Sequence, residues 1–273
     1  MMTFVACGPI QRTRQSEDTP VRTPETENLL INLKKVSARG FMFGHHDDTN
    51  YGIGWEGDEG RSDVKSVCGD YPAVISFDLG HIELGDTMSL DKVPFTKIRK
   101  EILNQYKRGG MSSLSWHLRN PLTGGDSWDV SDTTVVKSIL PGGANHEKFT
   151  GWVSKVSAFI NSLQTEEGVK VPVLFRPWHE HTGSWFWWGE KLCTPEEYKA
   201  LWHITVDILR NDGVDNALYA YSPGSEPQDT AQYLKRYPGD ELIDLIGFDT
   251  YQFERDTYLA NLEKSLAIVD SIG

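Results

Sequence analysis

From Leu29 onward, hydrophobic positions along the chain follow two alternating rhythms. Short, nearly continuous apolar runs occur at Gly40–Phe43, Ala73–Phe77, Met111–Trp116, Val171–Phe175, Ala217–Tyr221 and Ile243–Phe248. Between them lie longer stretches with a helical apolar period, at Phe95–Lys107, Phe149–Leu163, Pro195–Asn211 and Thr230–Tyr237. A last pattern puts Leu259, Leu262, Leu266 and Val269 on one helical face. Parallel strands covered on both faces read as unbroken apolar runs. Their alternation with helices predicts repeated βα units around a parallel sheet.

The residues after each run are polar and chemically capable. Gly44-His45-His46-Asp47-Asp48 follows the first run, Asp78 to Glu83 the second, and His117 with Arg119 and Asn120 the third. His179-Glu180-His181 follows the fourth, Ser222 the fifth and Asp249-Thr250-Tyr251 the sixth. Such residues at every C-terminal strand end match the active-site rim of a (β/α)8 barrel, whereas a doubly wound sheet gathers its ligand at one switch point. The predicted fold class is α/β, a (β/α)8 TIM barrel with six of its eight units in these residues. Each unit takes about 41 residues between 28 and 273, so two more need roughly 80 beyond them. No P-loop or dinucleotide fingerprint follows a strand, so no nucleotide cofactor is expected.

Composition narrows the reading. A chain of 273 residues with 38% hydrophobic content can build one core of barrel size. Residues 1–27 are expected to be an N-terminal tail, with 11–26 as a solvated tether, and 28–273 the barrel. The net charge of -12 and the lack of a Lys/Arg stripe argue against a nucleic-acid partner. No run of eighteen apolar residues is present, so no membrane-spanning helix is expected. Thr3-Phe4-Val5-Ala6-Cys7 has the small residues before a cysteine that end a bacterial lipoprotein signal, without its basic and apolar front. Two readings stay open: an ordinary N-terminus, or the remnant of a signal. The second implies a secreted, periplasmic or membrane-anchored protein lipidated at Cys7. Cys68 and Cys193 read as unpaired thiols, with pairing as the alternative; no zinc-type spacing occurs.

The densest chemistry lies between Arg176 and Gly189, which holds a carboxylate, two imidazoles and four of the nine tryptophans. Sugars present flat apolar faces edged with hydroxyls, so a site for them needs indole surfaces and fixed polar groups. Glu180 is the candidate general acid, because a carboxyl beside indoles at a strand end is desolvated and holds its proton to higher pH. His179 and His181 lie two apart, facing one way in an extended segment while Glu180 faces the other. A metal held by that pair is the rival reading; the spacing matches no HExxH helix. Trp178, Trp187 and Trp188 read as packing, and Trp55, His46 and Asp48 as candidates for distal sugar contact.

Arg176-Pro177-Trp178-His179-Glu180-His181-Thr182-Gly183 is followed by Trp185 and Trp188-Gly189. With Gly44-His45-His46-Asp47-Asp48-Thr49-Asn50-Tyr51-Gly52, Ser115-Trp116-His117 and Gly247-Phe248-Asp249-Thr250-Tyr251, these elements together resemble glycoside hydrolase family 26, most of whose members are β-mannanases. The resemblance runs from about Leu29 to the C-terminus. It implies a clan A barrel, without cofactor or metal, that acts on mannan or galactomannan by retaining cleavage of β-1,4-mannosidic bonds. It further implies Glu180 as acid/base at the end of strand four, and His179 as the residue that positions the reacting sugar. Trp185 would be the aromatic wall, His117 a contact to the −1 sugar, Asp249 a group near substrate, and Tyr251 the partner of the nucleophile.

The family's nucleophile is a glutamate ending strand seven, and no residue of this sequence matches it. Retention needs two carboxyls about 5 to 5.5 Å apart. The chain is therefore expected to be a C-terminally truncated barrel, a monomer that is inactive alone; Glu83 and Asp249 are poor substitutes. Alternatives are a mixed-linkage β-glucanase or β-1,3-xylanase of the same family, an inactive sugar-binding fragment, and a metal-dependent barrel hydrolase.

Overall fold

The computed structural model describes residues 22–272 apart from 252 and 254. Cys7 and most of the expected tail lie outside the described residues. Helix α1, Pro24–Ser37, starts inside the segment expected to be a tether. Thr23 caps it by accepting from the Thr26 amide, proline opens it, and Glu25 and Glu27 lie in its first turn. Those are the residues a helix start uses, so a Thr/Pro/Glu-rich composition here marks an N-terminus rather than a linker. Thr26 is buried, and its hydroxyl donates to the Asp215 carbonyl at 3.2 Å.

Six parallel strands follow: β1 (Gly44–His46), β2 (Val74–Asp78), β3 (Met111–Ser115), β4 (Val173–Arg176), β5 (Ala217–Tyr221) and β6 (Leu245–Ile246). They lie side by side in chain order. Register runs Gly44↔Val74, Val74↔Met111, Ser112↔Val173, Val173↔Ala217 and Ala220↔Leu245. Helices α2 (Asp63–Cys68), α3 (Phe95–Lys107), α4 (Val135–Ile139), α5 (His146–Asn161), α6 (Pro195–Asn211), α7 (Thr230–Leu234) and α8 (Arg255–Ile272) fill the connections. Consecutive parallel strands joined by helices, in sequential order, are the βα units of a (β/α)8 barrel. Among the described residues β1 pairs only with β2, and β6 only with β5.

The core lies between sheet and helices. Ile75, Phe77, Leu114, Val173 and Phe175 of the strands meet Ile98, Ile102, Val153, Val156, Leu201 and Val206, all buried. Each such side chain contributes roughly 1.5–3 kcal/mol.

Strand boundaries depart from expectation at both ends of the sheet. The first strand is Gly44–His46 and not Gly40–Phe43; Phe41 and Phe43 are 89% and 56% exposed. The ladder to β2 thus starts at the end of the apolar run, with Val74 N donating to the Phe43 carbonyl at 3.2 Å. The sixth is two residues, Leu245–Ile246, flanked by bonds from Asp244 N and Gly247 N to β5 carbonyls. A small antiparallel ladder of Tyr51–Gly52 with Trp55–Glu56 was not expected. Cys68 and Cys193 are both free, the first exposed and the second buried. No described helix is long and apolar enough to cross a membrane.

Candidate active site

The connection after β4 does not stay extended. Trp178 and Glu180 both take positive φ, 55° and 54°, a left-handed conformation costing a non-glycine residue roughly 1–2 kcal/mol. Four consecutive carbonyls hold it in place. The Trp178 carbonyl accepts from Tyr198 Oη at 2.7 Å, and that of His179 from Trp188 Nε1 at 2.9 Å. The Glu180 carbonyl accepts from Gly183 N at 3.0 Å, and that of His181 from Arg236 Nη1 at 3.0 Å. Glu180 N itself donates to the Ser222 carbonyl at 2.7 Å, tying the loop to the end of β5.

Two left-handed residues break the alternation expected for an extended segment, so His179 and His181 part company. His179 turns toward His117, with the two Nε2 atoms 3.0 Å apart. His181 is buried between Tyr198 and Tyr221, ring centroids 4.4 and 4.8 Å away, and neither ring nitrogen has a hydrogen-bond partner. Burial, then the Arg236 charge, holds its pKa well below 6.5. The pair cannot share a metal. Among the described residues the three-residue group spaced for one is His46, Asp47 and Asp91.

Glu180 is 5% exposed. One carboxyl oxygen accepts from Trp185 Nε1 at 2.8 Å and the other from Tyr251 Oη in a very short bond. Burial raises the carboxyl above its ordinary value, against those two hydrogen bonds and with help from the Asp249 charge. Burial also raises the Tyr251 hydroxyl, and so does its Glu180 partner, which keeps it a donor. The arrangement suits a carboxyl that carries a proton to a leaving group.

Asp249 is fixed elsewhere. Arg176 Nη1 lies 3.0 and 2.9 Å from its two oxygens, and Ser222 Oγ makes a very short bond to one of them. Trp185 is 37% exposed and packs against Gly183, where a Cβ would come within 2.2 Å of its ring carbons. The indole N–H thus holds Glu180 while part of the ring remains exposed.

The opposite wall rests on Asp78. Its carboxylate accepts from Gly80 N, His117 N, Ser115 Oγ and His117 Nδ1 at 2.7, 3.1, 2.5 and 2.7 Å. Burial alone would raise this carboxyl, but the His117 hydrogen bond and charge outweigh it and hold it below the usual range. His179 is buried and held well below 6.5 by desolvation, then by Arg176 and His117.

The structure therefore brings together Glu180, Trp185 and Tyr251, joins His117 to His179, and places Asp249 against Arg176. Sequence reasoning missed Trp128, which is half exposed and stacks on His117 at 5.4 Å with planes 10° apart. Its signal was an aromatic residue in a loop of Gly, Asp and Ser, Gly124–Asp129. Asp78 was also missed as a site residue. Trp178, Trp187 and Trp188 are fully buried packing residues. Trp55 and Asp48 are buried as well, Trp55 with its Nε1 on Asp63, so neither offers a face to a distal sugar. His46 is exposed, next to Asp47 and Asp91. Glu83 is unexposed and accepts from Trp116 Nε1 and Arg119 N at 3.1 and 2.8 Å. That removes it as a nucleophile.

A parallel barrel sheet with a buried carboxyl of raised pKa, framed by indole and phenol at the strand ends, defines a (β/α)8 protein of the glycoside hydrolase class. The family model for glycosyl hydrolase family 26 matches residues 19–268. The chain belongs to that family. It is 37% identical over 236 residues to a mannan endo-1,4-beta-mannosidase of Bifidobacterium adolescentis, covering 84% of this chain and 23% of the relative. A mannan endo-1,4-beta-mannosidase of Bacillus subtilis is 27% identical over 84% of this chain and 64% of its own length. The chain thus spans less than two thirds of either relative. Among solved structures, a GH26 beta-mannanase from Bacteroides ovatus superposes with a TM-score of 0.91 at 62% identity, over 92% of this chain and 73% of that one.

Proposed function

We propose that the chain forms the acid/base side of a retaining endo-β-1,4-mannanase site acting on mannan or galactomannan. The observation that carries this reading is Glu180, a buried carboxyl with a raised pKa between Trp185 and Tyr251. In a double displacement it protonates the departing glycosidic oxygen and then takes a proton from the incoming water. Trp185 stacks on the sugar bound beside the cleavage point, and His117, His179 and Asp249 position the reacting one. The attacking carboxylate comes from outside the described residues, because Asp78, Glu83 and Asp249 are each committed to other partners. Mannan is favoured over mixed-linkage β-glucan or β-1,3-xylan by the names of both relatives.

The test is reducing-end release from galactomannan, lichenan and β-1,3-xylan. Residues 1–273 alone are expected to turn over none of them. The same chain continued by its own downstream coding sequence is expected to cleave galactomannan, with Glu180→Gln reducing kcat by 10²–10⁴-fold. Full activity in Glu180→Gln would exclude the assigned acid. We also propose export with a lipid on Cys7, checked by mass spectrometry of the membrane fraction; an unmodified Cys7 there would reject it.

A further inference from the structure

We propose that His46, Asp47 and Asp91 form a site for a zinc-like divalent cation that fastens the end of β1 to the loop after β2. None of the three has a part in the cleavage proposed at Glu180. His46 Nε2 lies 3.3 Å from Asp47 Oδ2 and 3.7 Å from Asp91 Oδ2, and one ligand atom from each residue falls within 4.8 Å of the others. Two ligands bound at about 2.1 Å to a tetrahedral ion sit about 3.4 Å apart. Calcium and magnesium prefer oxygen alone, so the imidazole nitrogen selects an ion of the zinc kind.

Each ligand is held by its surroundings. The Asp47 side chain is 2% exposed, and its Oδ1 accepts from Asn50 Nδ2 at 2.7 Å, leaving Oδ2 toward His46. His46 Nδ1 lies 2.9 Å from Ser76 Oγ, the kind of outer contact to which a metal-bound imidazole gives its other N–H. Asp91 is carried in a turn in which Ser89 N donates to the Val93 carbonyl at 2.8 Å and Lys92 N to the Ser89 carbonyl at 2.9 Å.

Charge favours the same conclusion, partly through atoms outside the ligand set. Asp48 and Asn50 are buried beside Asp47, and neither Asp48 Oδ2 nor Asn50 Oδ1 has a hydrogen-bond partner. Among the described residues, the ion-pair partners of Asp47, Asp48 and Asp91 are His45 and His46, and no Lys or Arg joins them. Three carboxylates therefore share two imidazoles. Burial works to lower the His46 pKa, yet the Asp91 bond and the charges of Asp47, Asp91 and Asp78 outweigh it and raise it. The field at His46 thus calls for positive charge, and a divalent ion supplies two where a proton supplies one. β1 is three residues long and, among the described residues, pairs only with β2. An ion joining its end to the next loop would secure that edge of the sheet.

Zinc titration calorimetry of the EDTA-treated 273-residue chain at neutral pH, with Cys7 and Cys68 changed to serine to remove competing thiols, tests this without any sugar. The expected result is one zinc per chain and a Tm that rises with zinc. His46→Ala and Asp91→Asn, both at partly exposed side chains, should each weaken binding tenfold or more and abolish the rise in Tm. His117→Ala is the control, because its Nε2 faces that of His179 at 3.0 Å and that pair is the rival zinc ligand set; this variant should bind zinc as the native chain does. No saturable binding at millimolar zinc, binding unchanged within twofold in His46→Ala or Asp91→Asn, or a loss confined to His117→Ala would overturn the proposal.

Discussion

Tyr198→Phe is the sharpest test of how the Glu180 loop is held. The Tyr198 hydroxyl donates to the Trp178 carbonyl at 2.7 Å and accepts from Trp202 Nε1 at 3.1 Å, at a fully buried position. Removing one oxygen orphans two buried groups, each costing about 1–3 kcal/mol. It also removes one restraint on Trp178, whose left-handed backbone stores roughly 1–2 kcal/mol that relaxation would recover. These effects oppose each other, so the net loss should be about 3 kcal/mol: the middle of the two-orphan range, about 4 kcal/mol, less about 1 kcal/mol recovered on relaxation. For a chain of this size that is a fall in Tm of roughly 6–12 °C by calorimetry. Tyr71→Phe is the control. Its hydroxyl also makes a 2.7 Å bond to a carbonyl, that of Gly60, but at an exposed site, and the change should stay within about 0.5 kcal/mol. Equal losses in the two variants, or a loss below about 1 kcal/mol for Tyr198→Phe, would refute the claim that buried carbonyl contacts hold the loop.

Further outcomes follow from the same geometry. Glu180 has its folded pKa raised above the ordinary 4.5, so the folded state keeps a proton that the unfolded chain has lost. Its contribution to stability is complete below 4.5 and is lost as pH rises through the folded value. The Tm of Glu180→Gln minus that of the native chain should therefore grow from pH 4 to pH 7; a flat or shrinking difference would contradict the raised pKa. Gly183→Ala would push a Cβ into the Trp185 ring, so mannohexaose binding followed by tryptophan fluorescence should weaken while the Tm changes little. A blunted Tm with unchanged binding would mean Trp185 is not the sugar platform. Trp202→Ala, at a fully buried site, should cost about 3–5 kcal/mol, whereas Trp128→Ala, half exposed on His117, should cost far less; chemical denaturation compares the two.

The central strands were legible because each is a buried apolar run: β3, β4 and β5 start and end within two residues of their expected places. The end strands were not: Phe41 and Phe43 are apolar yet exposed, and the first ladder begins only at the Phe43 carbonyl, which accepts from Val74 N at 3.2 Å. Local pattern does not record which neighbour a strand finds. Glu180 and its tryptophans stood out as composition, and the rim position gave them a role. What could not be read was the direction of His181. It depends on positive φ at Trp178 and Glu180, two residues with no intrinsic preference for it, and on donors such as Arg236, 55 positions away. Trp128 was hidden for the same reason, since its value lies in stacking on a histidine from another element.

The open sides of the sheet have a consequence for handling the protein. Among the described residues β1 and β6 each offer one free edge, and Phe41, Phe43, Ile53, Val67 and Phe253 are exposed nearby or along the adjoining loops. The β6 edge of one copy and the β1 edge of the next run in the same sense, so they can extend one parallel sheet across molecules. Such a head-to-tail contact leaves the same edges free at both ends, so it repeats from copy to copy until it closes into a ring. Protein concentration, more than temperature, will govern how long a solution of these 273 residues stays clear.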